Sequence, residues 1–184
     1  MWHDWVRGLI CRRFVQHLFT GTLVRSTFAR PLDELDEHDR AILRILQRDN
    51  KTPQRVISEA VHLSAPAVQR RIARMEASGV IHRNVAVIDP AAVGQGVTVV
   101  VEVHPVNDRS PVVDAAKRMF RDAPEVQQCY FVTGNGGFIL ILLVPDMASY
   151  EALSRRLFAD NELVTTFRTL VVLDPVKVTL DVDV

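Results

Sequence analysis

Seven consecutive residues, Phe138 to Val144 (FILILLV), carry no polar side chain. A strand with one wet face alternates apolar with polar residues, so this run belongs in the middle of a sheet. The chain must then supply flanking strands and a covering layer, and the neighbouring sequence does. GVTVVVEVHP, ending at Pro105, is strongly β-branched and predicts a strand. Ser110 to Asp122 (SPVVDAAKRMFRD) predicts a helix with Val112, Val113, Ala116, Met119 and Phe120 turned inward. Val126 to Thr133 (VQQCYFVT) predicts a second strand, and Gly134 to Gly137 (GNGG) the turn before FILILLV. Asp146 is placed to cap a helix over MASYEALSRRLF, with Tyr150, Leu153, Leu157 and Phe158 inward; Leu163 to Leu173 predicts a last strand. The order is βαββαβ, the ferredoxin-like split motif. Two helices cover one face of such a sheet. The other face needs a partner, so dimerisation through that face or an edge is expected.

The first half of the chain has a helical period instead. In LDEHDRAILRILQRDN, Leu35, Ile42, Leu43, Ile45 and Leu46 form the apolar side, Asp36 is a plausible cap, and Glu37 and Asp39 suit the positive helix start. Asn50 marks the stop. Thr52 and Pro53 signal a second helix over QRVISEAV, with Pro53 at the first helical position and Val56, Ile57, Ala60 and Val61 inward. His62 and Leu63 turn into a third helix, Ser64 to Gly79 (SAPAVQRRIARMEASG). There the Ser64 hydroxyl can cap the start and Gly79 can close the end in a left-handed conformation. Val68, Ile72 and Met75 make its core stripe, Arg70 and Arg74 fall on the opposite side, and Gln69 and Arg71 flank the stripe. VIHRNVAVID then predicts a strand. Helix, helix, turn, helix, strand is the winged helix-turn-helix order, in which the last helix enters the DNA major groove and the preceding one braces it. Small residues at its start, Ser64 and Ala67, allow close approach to the groove. Gln69, Arg70 and Arg74 are the candidates for base or phosphate contact. Arg71 is a further candidate, with a structural role as its alternative, and Arg83 on the wing and Arg55 on the bracing helix can hold phosphates.

Charge supports this division. Lys and Arg total 22 and Asp and Glu total 22, but residues 36–88 carry net +3 and residues 89–184 net −5. A polyanion is expected to meet the front half. Residues 1–30 carry five Arg and one Asp and both tryptophans. Leu9, Ile10, Phe14, Leu18 and Phe19 there fit one face of a short helix. A targeting segment, a partner- or membrane-surface helix, and an upstream extension that the core fold does not need all fit, the last best because the remainder is self-contained. Cys11 and Cys129 have no metal spacing; Cys129, within CYFV, is expected to be a buried free thiol, and a reducing cytoplasm fits. No transmembrane run is present. His3, His17, His38, His62, His82 and His104 are scattered. Nothing has the pattern of a phosphate-cradling Gly-rich loop, a zinc site or a nucleophile elbow. No catalytic residue, metal or cofactor is therefore expected.

Taken together, LDEHDRAILRILQRDN, LSAPAVQRRIARMEASGVIHRNVAVIDPAAVG, CYFVTGNGGFILILLVPDMASYEAL and the closing LDPVK resemble the Lrp/AsnC, or feast/famine, family over about residues 32–178. The resemblance implies an α+β protein: an N-terminal winged helix-turn-helix followed by a ferredoxin-like βαββαβ domain. It implies a transcription regulator that binds double-stranded DNA. It also implies dimers that assemble further, to tetramers or octamers, and a small-molecule effector, usually an amino acid. The expected boundaries are 1–31 for the extension, 32–88 for the DNA-binding domain, 89–95 for a linker and 96–184 for the effector and oligomerisation domain. The expected effector site is the turn formed by Thr133, Gly134, Asn135, Gly136, Gly137 and Phe138.

One position departs from the family pattern, which places Asp where this chain has Gly137. Asp can pair with the ammonium of an amino acid; Gly cannot. Either the effector is not an ordinary amino acid, or its amine is recognised elsewhere, or no effector binds; alternatively GNGG is only a hairpin turn. The plan is also similar to that of siroheme decarboxylases, but no counterpart of their His-x-Tyr-Asn-type stretch is present, so an enzyme is the alternative. A ligand-sensing assembly protein without DNA binding is the other; the basic face of the third helix argues against it.

Overall fold

The computed structural model describes residues 35–134 and 137–184. The expectations for residues 1–31 lie outside them, as do Asn135 and Gly136. The chain divides into two compact units, one ending at Asn84 and including Asp181–Val184, the other spanning Val85–Leu180.

The first unit is a trihelical bundle. Helix α1 (Glu37–Arg48) begins in a capping box: Asp36 Oδ1 accepts from the Asp39 N–H at 2.9 Å, and Asp39 Oδ2 accepts from the Asp36 N–H at 3.2 Å. It ends at Asp49, whose carboxylate accepts from the Lys51 N–H at 2.9 Å. Helix α2 (Gln54–Val61) has Pro53 as its N-cap rather than at its first turn. Its inward side is Ile57, Ser58 and Val61, while Val56 and Ala60 are exposed, a rotation from the expected face. Ser58 is tolerated inside because its hydroxyl donates to the Arg55 carbonyl at 2.7 Å. His62 adopts φ 55°, the left-handed conformation that ends α2 and aims the chain into the next helix.

Helix α3 (Ala65–Ala77) presents Val68 and Met75, with Ile72 partly buried, to Ile42, Leu43, Ile57 and Val61. Gly79, at φ 77°, closes its end as the sequence suggests. Ser64 is the N-cap residue, but its hydroxyl makes no capping bond. Pro66 has no N–H to offer, and the N–H of Ala67 is already taken by the Ser64 carbonyl at 2.9 Å. Asp181–Val184 belongs to this unit: Gln47 donates to the Val182 carbonyl at 3.0 Å and accepts from its N–H at 2.8 Å.

The expected wing strand is not formed. Residues 82–89 are irregular, and Val87 is 92% exposed. Their β-branched composition favours extended backbone, but no strand among the described residues pairs with them, and a strand without a ladder is not stable alone.

The second unit holds β1 (Val97–Pro105), α4 (Ser110–Asp122), β2 (Val126–Val132), β3 (Gly137–Val144), α5 (Met147–Ser154) and β4 (Val164–Val171). The sheet order is β2-β3-β1-β4, all neighbours antiparallel. β3 is thus internal, as its composition requires. Phe138, Leu140, Leu142 and Val144 of β3 and Val99, Val101 and Val103 of β1 pack against Phe120, Leu153, Leu157 and Phe158 beneath the helices. Phe120 meets Phe138 edge-on, with ring centroids 5.1 Å apart. Two details differ from expectation. Gly137 is the first residue of β3 rather than part of the turn. The helix over 147–158 changes to a π-helical turn at Arg155–Ala159, which brings both Leu157 and Phe158 inward. Cys129 is exposed, because β2 is an edge strand: Phe131 packs on Phe138 and beneath Lys117 of α4, but the strand has a neighbour on one side alone. No helix among the described residues is long and apolar enough to cross a membrane.

Candidate nucleic-acid interface and effector cleft

Helix α3 separates its side chains into three sets. Val68 and Met75 are core. Gln69 and Arg70 are exposed, and neither side chain has a hydrogen-bond or ion-pair partner among the described residues. Ser64 is exposed and Ala67 half-buried at the helix entry. The third set turns back into the protein. Arg71 Nη1 donates to Asp36 Oδ2 at 2.7 Å and to Asp39 Oδ1 at 2.8 Å. Arg74 Nη2 donates to Asp39 Oδ2. Asp39 is completely buried.

Arg74 is therefore not free on the face away from the core. Its Cα lies one step round the helix from Met75, and its long stem lets the guanidinium reach inward while the side chain stays 49% exposed. Arg71 is engaged in the same way, by Asp36 and Asp39. Asp39 does more than suit a helix start. The signal that identifies it is its spacing: it stands three and four residues before Ile42 and Leu43, on the buried side of α1. The electrostatics follow from the contacts. The Asp39 N–H and then Arg71 hold the Asp36 carboxyl down to about 2. Asp39, then Asp36, raise the proton affinity of Arg71 further.

The remaining DNA candidates are scattered by partner. Arg55 is exposed but paired with Glu59 at 2.9 Å, a surface i,i+4 bridge. Arg83 is exposed in the irregular segment after α3, next to Asn84, which donates to Glu76 at 2.9 Å.

In the second unit a cleft of about 220 Å³ opens at the β1–β3 end. Gly137 and Phe138 line it, together with Glu102, Val103, His104, Val132 and Ile139. Of the expected turn residues, Thr133 and Gly134 are exposed beside it, and Phe138 is core: its ring is 1% exposed and packs on Phe120 and Phe131. Sequence reasoning missed Glu102 and His104. The alternation along β1 contains the signal, since with Val99, Val101 and Val103 inside, residues 102 and 104 must face the other way. Glu102 accepts from Arg168 across the β1–β4 pair at 2.8 Å, which lowers its proton affinity. No cluster of three metal-ligating side chains occurs among the described residues.

A helix-turn-helix bundle with a basic third helix, followed by a ferredoxin-like sheet with a cleft, defines a transcription regulator with a ligand-binding domain. Comparison with known proteins agrees. A family model described as winged helix-turn-helix DNA-binding matches residues 35–82, and one described as the Lrp/AsnC ligand binding domain matches residues 98–182. The chain belongs to the Lrp/AsnC family of transcription regulators. It is 40% identical over 151 residues to the uncharacterised HTH-type transcriptional regulator y4tD of Sinorhizobium fredii, covering 82% of this chain and 89% of the relative. An AsnC family transcriptional regulator from Agrobacterium tumefaciens is similar in structure, with a TM-score of 0.75 and 33% identity, over 80% of this chain and 95% of that one. The regulator NMB0573 from Neisseria meningitidis, solved as a complex with L-Met, matches with a TM-score of 0.74 and 25% identity, over 80% and 96%.

Proposed function

We propose that α3 enters the DNA major groove and reads it with Gln69 and Arg70, with Ser64 and Ala67 giving the backbone room to approach. The observation that carries this reading is that Gln69 and Arg70 are exposed side by side without a partner among the described residues, on a helix whose other long cations are engaged. Both side chains have the donor geometry that base edges need. Arg71 and Arg74 brace the helix. Arg83, and Arg55 after release from Glu59, contact phosphates.

The second unit senses a small-molecule effector at the cleft lined by Glu102, His104 and Gly137. An amino acid is the first class to try, a choice supported by the L-Met complex of the Neisseria relative. With glycine at 137, Glu102 is the carboxylate lining this cleft that can meet an ammonium. The helix-free sheet face exposes Tyr130, Val132 and Leu170, which supports pairing of two copies there and assembly to tetramers or octamers. The protein works as a binder rather than an enzyme, in the cytoplasm where the DNA is.

The test is binding of the full chain to DNA upstream of its own coding sequence at two salt concentrations. Tight binding that weakens with salt and is lost in Arg70→Ala supports the reading; upstream DNA bound no better than random DNA rejects it. Calorimetric titration with the twenty amino acids, repeated on Glu102→Gln, tests the effector site.

A further inference from the structure

Two acids at the start of α1, its N-cap Asp36 and Asp39, occupy two of the three guanidinium groups on α3. Asp39 is fully buried and uses both carboxylate oxygens, Oδ1 for Arg71 at 2.8 Å and Oδ2 for Arg74 and the Asp36 N–H. Asp36 gives Arg71 a second acceptor at 2.7 Å. The group of four is neutral, two carboxylates against two guanidiniums. Arg70, adjacent to Arg71 in the helix, has no acid partner among the described residues.

We infer that Asp39 is a positioning residue that decides which arginines of α3 reach DNA: it ties the guanidinium groups of Arg71 and Arg74 to α1 and leaves contact to Arg70 and Gln69. The inference rests on the reading of α3 as the DNA-contacting helix. An arginine on a phosphate strengthens binding to every duplex alike, whereas one that pairs with a base edge discriminates. A buried carboxylate keeps its partners, because leaving it unpaired in the interior costs more than an exposed ion pair returns. Helix α3 therefore carries three arginines, of which one has no acid partner among the described residues. Withholding the other two keeps the sequence-independent part of the affinity low. Removing the charge of Asp39 hands Arg74 to the surface, while Arg71 keeps Asp36, and makes a selective helix a less selective one.

The test measures binding of the full chain across a salt series, to the upstream duplex and to a random duplex of equal length. Arg70→Gln is expected to narrow the ratio between upstream and random duplexes by about tenfold or more, the effect of one lost base contact. Arg74→Gln is expected to leave both that ratio and the slope of log affinity against log salt unchanged. Asp39→Asn is expected to steepen the slope on random DNA by about 0.9 for the released Arg74, Arg71 staying on Asp36, and to narrow the ratio between upstream and random duplexes. An Arg74→Gln slope flatter than the parent's by about 0.9, the effect of a lost phosphate contact, overturns the inference. So does an Asp39→Asn protein of unchanged circular dichroism whose slope and ratio match the parent. If Asp39→Asn does not fold, the Arg74→Gln and Arg70→Gln comparison decides. Unchanged binding in Arg70→Gln overturns the reading of α3 itself, and the inference with it.

Discussion

Gly137 and Val103 pass so close that a Cβ built on the glycine stands 2.7 Å from the Val103 carbonyl oxygen. Phe138 pairs with Val103 across β1 and β3, so the approach is set by the ladder itself. His104 Nδ1 lies 3.4 Å from the same point. The side-chain acid that the family pattern offers at this turn has no space here unless the strands move.

Gly137→Ala is accordingly expected to destabilise the second unit by about 1–3 kcal/mol, the usual cost of forcing atoms into a packed site. Urea unfolding followed by circular dichroism measures it. A midpoint equal to that of the parent would show that the strand end yields freely.

Asp39→Ala is expected to cost about 3–5 kcal/mol, because it leaves two arginines facing an emptied, buried site. Unfolding of the first unit reports it. A loss below about 1 kcal/mol would place the pair in the class of exposed bridges.

Acid should weaken the first unit through Asp36. Its carboxyl titrates at about 2 in the folded protein against 3.8 ordinarily, so the folded state binds its proton less readily. The stability this contributes is complete above about pH 4 and is lost as pH falls toward 2. Thermal midpoints taken between pH 5 and 2 should fall less steeply in Asp36→Asn than in the parent; parallel curves would remove Asp36 from the account.

Two neighbouring rings should respond differently. Phe138 is buried, and Phe138→Ala is expected to cost about 3–5 kcal/mol. Phe131, 5.0 Å away by ring centroid but 47% exposed, should cost about 1 kcal/mol as Phe131→Ala, chiefly for the lost ring contact. Equal losses in the two would mean that β2 is buried in solution.

The elements of both units were legible because their apolar residues keep a clear period. QRVISEAV and Ser110–Asp122 have the bounds their patterns suggest, and FILILLV is an inner strand. What composition could not tell was which segments find a partner. VIHRNVAVID has the residues of a strand but no ladder among the described residues, and CYFV has those of a core strand but lies at an edge. In the interface, the exposed pair Gln69 and Arg70 followed from helical spacing. The inward turn of Arg74 did not, because spacing fixes where a Cα points and not where a long flexible side chain ends. Asp39 was hidden by a local explanation, the helix start, that was true and incomplete.

That double service of Asp39 has a consequence for how the bundle opens. The residue closes the capping box of α1 and, 32 and 35 positions along the chain, receives Arg71 and Arg74. A helix start ordinarily frays at little cost, independently of the rest. Here fraying of α1 breaks a buried contact with α3, so its first turn can loosen only when the bundle does. The amide of Asp39 should then exchange with solvent as slowly as those at the centre of α3, and α3 inherits its steadiness from the beginning of another helix.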